Sequence, residues 1–170
     1  LILTAIKSEP QKVSEFVSRL DNFDGPEIAK IAVQEEYGLY EEAFAIYQKC
    51  GKRRDISDEE RESHHVAATE VLVKYVNDLT RAQEFAERIN LPSVWSVLAC
   101  AQMGEGMLRE CIASFIRAND SSRWVDVLRL SEDQENFDDI IPYLQMARRD
   151  IKEAQLDTAL IYALARNNKL

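Results

Sequence analysis

Trp95 and Trp124 stand 29 residues apart, and the pattern around them returns at the same interval. Leu98 recurs as Val127, Ala101 as Leu130, Leu108 as Phe137, Cys111 as Ile140, Phe115 as Leu144 and Ala118 as Ala147. With the tryptophans, the shift keeps apolar on apolar at seven positions spread over two helical segments per unit. A period between about 20 and 50 residues marks an array of supersecondary units, each burying its face only against its neighbours. The expected fold class is all-α: a right-handed α-α superhelix, or α-solenoid, of stacked helix hairpins with about 10–11 helices.

The remaining segments agree with helices. Val13, Phe16, Val17 and Leu20 follow helical spacing, and the loop DNFDGP ends that segment. Pro26 suits the first turn of a helix over 26–37 that Gly38 ends, and a partner helix runs from about Leu39 to Cys50. A polar stretch, GKRRDISDEERESHH, follows before the pattern resumes at Val66. Asp78 is a candidate N-cap for a helix bearing Leu79, Ala82, Phe85 and Ala86, and Asp120 and Ser121 are candidates for the Trp124 helix. The partner of the Trp124 helix is expected from Asn136, with Pro142 bending it near residue 138; alternatively, that helix starts only at Pro142. A last helix spans about 153–166.

Taking Tyr40, Leu79, Leu108, Phe137 and Leu170 as equivalent starts of second helices gives spacings of 39, 29, 29 and 33. The long first interval is explained if 51–64 is an insertion of about ten residues, which in a repeat array maps to a surface loop. The expected organisation is one solenoid, 1–170, with units 26–51, 65–91, 92–120 and 121–150, partial units 1–25 and 151–170, and the insertion 51–64. Opening on Leu1 in an apolar stretch and closing at NNKL, the chain reads as a piece of a longer polypeptide.

Charge and residue types exclude several function classes. A net charge of −9 opposes binding to phosphate backbones or anionic lipid, so no nucleic acid partner is expected. No apolar run reaches the ~18–20 residues needed to cross a bilayer, so no direct membrane insertion is expected either. Cys50, Cys100 and Cys111 lack metal-ligand spacing and read as free thiols in a reducing compartment. His64 and His65 are adjacent, point about 100° apart on a helix, and read as solvated surface groups. Glu41/Glu42 and Asp138/Asp139 fall in first turns, where the helix dipole favours acids. Phosphate-binding glycine loops and nucleophile elbows have no counterpart in the sequence. No catalytic, cofactor or metal residue is expected, and the chain is not expected to be an enzyme. The residues singled out are structural: Trp95, Leu98, Ala101, Leu108, Cys111, Phe115, Trp124, Val127, Leu130, Phe137, Ile140 and Leu144 form the repeat core, with the tryptophans on the buried stripe.

The strings LILTAIK, RLDNFDGPEIAKIA, YEEAFAIYQK, LTRAQEFAERINLPSVWSVLACAQ and YLQMARR resemble the clathrin heavy-chain family, in order and spacing, over nearly the whole chain except 51–64. The resemblance places the segment in the distal leg near the knee. It implies a structural rod of the leg, contributing to triskelion and lattice assembly in vesicle-mediated transport and endocytosis. The location it implies is the cytoplasmic face of coated vesicles and coated pits. Implied partners are other heavy-chain legs, with the clathrin light chain as a further one although its usual segment lies downstream. The insertion departs from the family pattern, as does Pro142, which stands where a charged helix residue is usual. A propeller that reads adaptor peptides and a trimerisation region lie elsewhere in the family's chain. The competing reading is a clathrin-repeat or tetratricopeptide-like protein-binding module of a vacuolar sorting or tethering subunit.

Overall fold

A computed structural model describes residues 1–167 of the chain. Among the described residues there are eleven α-helices and no strand, so the fold is all-α, built from the helix hairpins of a solenoid. Leu170, the fifth of the equivalent starts, lies outside the described residues. The chain divides into two compact units, the first Leu1–Ile89 and the second beginning at Asn90.

The first unit holds α1 (Ile2–Ser8), α2 (Val13–Arg19), α3 (Gly25–Ala32), α4 (Tyr40–Gly51), α5 (Asp58–Val71) and α6 (Leu79–Ile89). α4 packs against both α3 and α5, giving two hairpins that share a helix. Its C-terminal Lys49 reaches back to α2: Nζ donates to the carbonyls of Val17 (2.8 Å) and Leu20 (2.7 Å) and pairs with Asp21 at 2.9 Å. A cation there satisfies carbonyls that a helix end leaves open and complements its dipole. α3 starts as expected, with Asp24 capping the Glu27 N–H and Pro26 in the first turn. It stops at Ala32, five residues earlier than expected. Gln34, Glu35 and Glu36 are exposed and bring no apolar face to bury. The chain instead folds through turns in which Tyr37 and Gly38 donate to the Gln34 carbonyl.

The polar stretch is not the surface loop expected of an insertion. Residues 52–57 connect, and Asp58 onward is helix. Ser57 and Glu60 form a reciprocal capping box, and Asp58, Glu59 and Glu60 occupy the first turn where the dipole favours them. The charge run is thus a strong helix start, eight residues before the apolar pattern becomes visible at Val66. α5 continues into a π-helical turn, Leu72–Val76. Asp78 does cap α6, accepting from the Arg81 N–H at 3.0 Å.

The second unit holds α7 (Pro92–Gly104), α8 (Leu108–Ala118), α9 (Trp124–Asp133), α10 (Ile141–Asp150) and α11 (Ala154–Arg166). α7 pairs with α8 and α10 with α11, while α10 also packs on α8 and α9. One apolar cluster runs through all five helices, from Ala99 to Ala163. Two expectations are corrected here. Neither Asp120 nor Ser121 caps α9: its N-cap residue is Arg123, without a side-chain bond, because Asp120 is turned toward Ser122 and Ser96. Nor does Pro142 bend a helix begun at Asn136. α10 starts at Ile141, so the proline sits in its first turn, where the missing N–H has no intrahelical acceptor to lose.

Candidate functional site: the seam between successive repeats

The repeat is written in the backbone. Of the expected second-helix starts, Tyr40, Leu79 and Leu108 open α4, α6 and α8, whereas Phe137 stands four residues before α10. Relative to all four, the residue two places earlier has positive φ every time: Gly38 (60°), Asn77 (56°), Gly106 (74°) and Glu135 (53°). The next residue then donates its N–H back to the preceding helix. Leu39 donates to Ala32 O, Asp78 to Leu72 O, Met107 to Gln102 O and Asn136 to Ser131 O, at 2.9–3.1 Å. In the last two the bond spans five residues, the Schellman closure of a helix end. The two remaining positive-φ residues among those described, Asn90 (51°) and Asn119 (50°), are also 29 apart and follow the ends of α6 and α8. Left-handed backbone favours Gly and Asn, and five of the six positions obey.

Glu135 is the exception, and a test follows from it. Its side chain is exposed, so the left-handed backbone costs stability with no packing to offset it. Glu135→Gly copies Gly106 from the previous repeat. It should raise stability by roughly 0.5–1 kcal/mol, the cost of left-handed backbone less the entropy glycine adds to the unfolded chain. Urea unfolding would read this as a higher midpoint at unchanged slope; an unchanged or lower midpoint would contradict the turn assignment.

Three residues past each start, Ala43, Ala82, Cys111 and Ile140 are each 0% exposed. Burial drives the Cys111 thiol up to about 11, far from a reactive thiolate. Trp95 and Trp124 are 2% and 6% exposed, and Leu98, Leu108, Phe115, Val127 and Leu144 are buried with them. Ala101, Leu130 and Phe137 are half-buried, the last two packed against the apolar cluster.

The inner stripe of the first helices ends on polar residues that apolar pattern matching missed. Gln102 and Ser131, again 29 apart, are buried seven residues after each tryptophan. Gln102 Oε1 accepts from the buried Ser114 hydroxyl at 2.7 Å, and the Ser131 hydroxyl donates to the Asn136 carbonyl. Polar-on-polar coincidence at the same shift was the available signal.

Polar ties cross from one repeat to the next. Arg81 of α6 grips Glu41 of α4 with two bonds, 2.5 and 2.9 Å, holding that carboxyl below its ordinary range. Arg109 of α8 bonds Asp139, just before α10, at 2.8 Å with the same effect on the acid. In both cases a residue one past a start meets a residue two past the next start. The separations are 40 and 30 residues, each one more than the local repeat spacing. The ten extra residues of the long interval are therefore absorbed in the connector and α5, leaving the register of second helices unchanged. Gln134 adds a bond to the Gly106 carbonyl, 28 residues back, at 2.7 Å.

Asp120, in the connection between α8 and α9, ties α7 and α10 to that connection. One carboxylate oxygen accepts from the Ser122 N–H and hydroxyl, the other from Ser96 of α7 at 2.8 Å, and its carbonyl accepts from the Tyr143 hydroxyl of α10. Burial alone would raise this carboxyl, but the hydrogen bonds from Ser122 and Ser96 outweigh it and hold the acid below the usual range. Trp95 is fixed similarly: its indole N–H donates to Asn90 Oδ1 at 3.0 Å, and Arg117 lies 4.6 Å over its ring.

The histidines are not both surface groups. His64 is half-buried, and His65 is buried against the Phe85 ring. Among the described residues, no three His, Cys, Asp or Glu side chains gather as a metal-holding group, and no helix is long and apolar enough to cross a membrane. The constellation here is one of packing and register, repeated along the chain.

Comparison with known proteins gives the repeat its family. Residues 1–109 match the family model described as the region in clathrin and VPS. Over 170 residues the chain is 45% identical to the clathrin heavy chain of Drosophila melanogaster and 44% identical to clathrin heavy chain 1 of Arabidopsis thaliana, covering 9% of each. It is 41% identical to clathrin heavy chain 2 of Homo sapiens, of which it covers 10%. The chain thus spans about a tenth of the length of these relatives. A hairpin repeated in sequence, in turn geometry and in cross-repeat ties, together with this similarity along its whole length, means that the chain belongs to the clathrin heavy-chain family.

Proposed function

We propose that this segment is a rod element of a clathrin heavy-chain leg, contributing stiffness and shape to a triskelion that assembles into a coat lattice in vesicle-mediated transport and endocytosis. The observation that carries this reading is the in-register seam: the same turn, fully buried residue and cross-repeat ion pair recur where a leg needs uniform stacking over a long distance. The units of the rod are 26–51, 65–91, 92–120 and 121–150, and Trp95, Leu98, Leu108, Cys111, Phe115 and their 29-shifted partners are its core. Its partners are other heavy-chain legs, through polar outer faces, at the cytoplasmic face of coated vesicles and coated pits.

The test uses the full-length parent chain, purified and placed under assembly conditions. The reading expects sedimentable closed lattices from the parent, and their loss in a Trp95→Ala/Trp124→Ala variant that still forms its oligomer. A parent that never assembles, yet captures peptide ligands as a monomer, would favour a sorting or tethering module instead. A variant that assembles like the parent would remove the segment's structural role.

A further inference from the structure

His65 is a buried titratable group that a rod element does not need. It lies on the inner side of α5, 7% exposed. Its ring meets the Phe85 ring of α6 edge-on, with centroids 5.9 Å apart. α4 closes over it with the bare backbone of Gly51, so tightly that a Cβ there would stand 2.7 Å from the imidazole Cε1. Nδ1 is buried and has no hydrogen-bond partner. The charges bearing on the ring are cationic or become so: His64 and Arg61 on α5 and Arg88 on α6. Next to Gly51 on α4 the titratable neighbour is Cys50, a thiol kept neutral by burial.

We propose that His65 is an acid-triggered release for the junction of α4, α5 and α6. Neutral, the imidazole is a core residue filling the space left by Gly51. When it takes a proton from solvent at Nδ1, the junction contains a cation with a buried, unpaired N–H and basic neighbours. The proton then favours an open junction, where water can solvate it. Burial, and after it the neighbouring cations, holds this histidine below its ordinary pKa of about 6.5. The folded junction therefore binds fewer protons than the open one. Protection is complete above about pH 6.5 and is lost as pH falls below it toward the lowered folded value. Carboxylates titrate lower, which leaves pH 5–6.5 as a window for histidine.

Hydrogen exchange on the full-length parent chain, corrected for the intrinsic pH dependence, tests this by following peptides of α4–α6 and of α7–α8. In the parent, exchange in α4–α6 should be roughly five- to tenfold faster at pH 5.5 than at pH 7.5, with no such change in α7–α8. His65→Phe should remove most of the pH dependence, leaving only what half-buried His64 contributes, whereas His64→Gln should retain most of it. Arg88→Gln, at an exposed position that leaves the core intact, should make the acid-induced rise in exchange smaller, because removing a neighbouring cation brings the folded value of His65 closer to the open one. A flat profile in the parent, or a profile unaltered by both His65→Phe and Arg88→Gln, would overturn the proposal.

Discussion

Trp95→Ala is expected to destabilise the second unit by about 3–5 kcal/mol, the range for emptying a large aromatic from a packed core. Trp95 is 2% exposed in the first turns of α7 and continues inward through Leu98 to the Gln102–Ser114 pair. Three losses combine in the substitution. The apolar burial and the cavity left behind make the largest. The indole N–H to Asn90 is the second, and it matters because Asn90 is a left-handed residue whose side chain the indole holds in place. The third is the contact with Arg117, about 0.5–1 kcal/mol at a partly exposed site. Trp95→Phe keeps much of the burial but neither the N–H nor the full volume, and should fall between. Urea unfolding followed by circular dichroism distinguishes these outcomes; a loss below about 1 kcal/mol for the alanine variant would remove Trp95 from the core.

The sequence shows the period through its apolar residues because exchange among Leu, Val, Ile, Phe and Cys at the seam keeps volume and burial while identity drifts. Trp95/Trp124 and Cys111/Ile140 are legible for that reason. Helix ends were less legible where short-range polar chemistry competes with the apolar pattern. The start of α5 was hidden by reading charge as loop, although Ser57 with Glu60 is a capping box written in four residues. Pro142 was ambiguous because one residue type both opens helices and breaks them. Only Ile141 at the start of α10 decides between the two. His65 defeated the expectation of solvation because its burial depends on Gly51 of another helix, a relation with no local signature. Cross-repeat pairs such as Glu41–Arg81 and Arg109–Asp139 reverse their polarity between repeats, so matching like with like at a fixed shift could not find them.

The helix hairpin, repeating every 29 residues from Leu79 to Phe137, is the unit from which this chain is built, and deletion of one is its most direct test. Removing residues 92–120 takes out α7, its turn and α8 together and joins Leu91 to Ser121. Asn90 then stands where Asn119 stood, with the same left-handed backbone, and Trp124 takes the place of Trp95. Removing only 92–107 deletes α7 and its turn and leaves α8 without its hairpin partner, uncovering the side of its apolar face that α7 had buried. Nearest-neighbour stacking tolerates loss of a whole unit far better than loss of half of one. Thermal unfolding of the two deletions, followed at 222 nm, should show a cooperative transition and unchanged helix signal per residue for the 29-residue deletion. The 16-residue deletion should melt without a cooperative step. Two deletions that melt alike, or a whole-unit deletion that fails while the half-unit deletion folds, would contradict the repeat as the unit of structure.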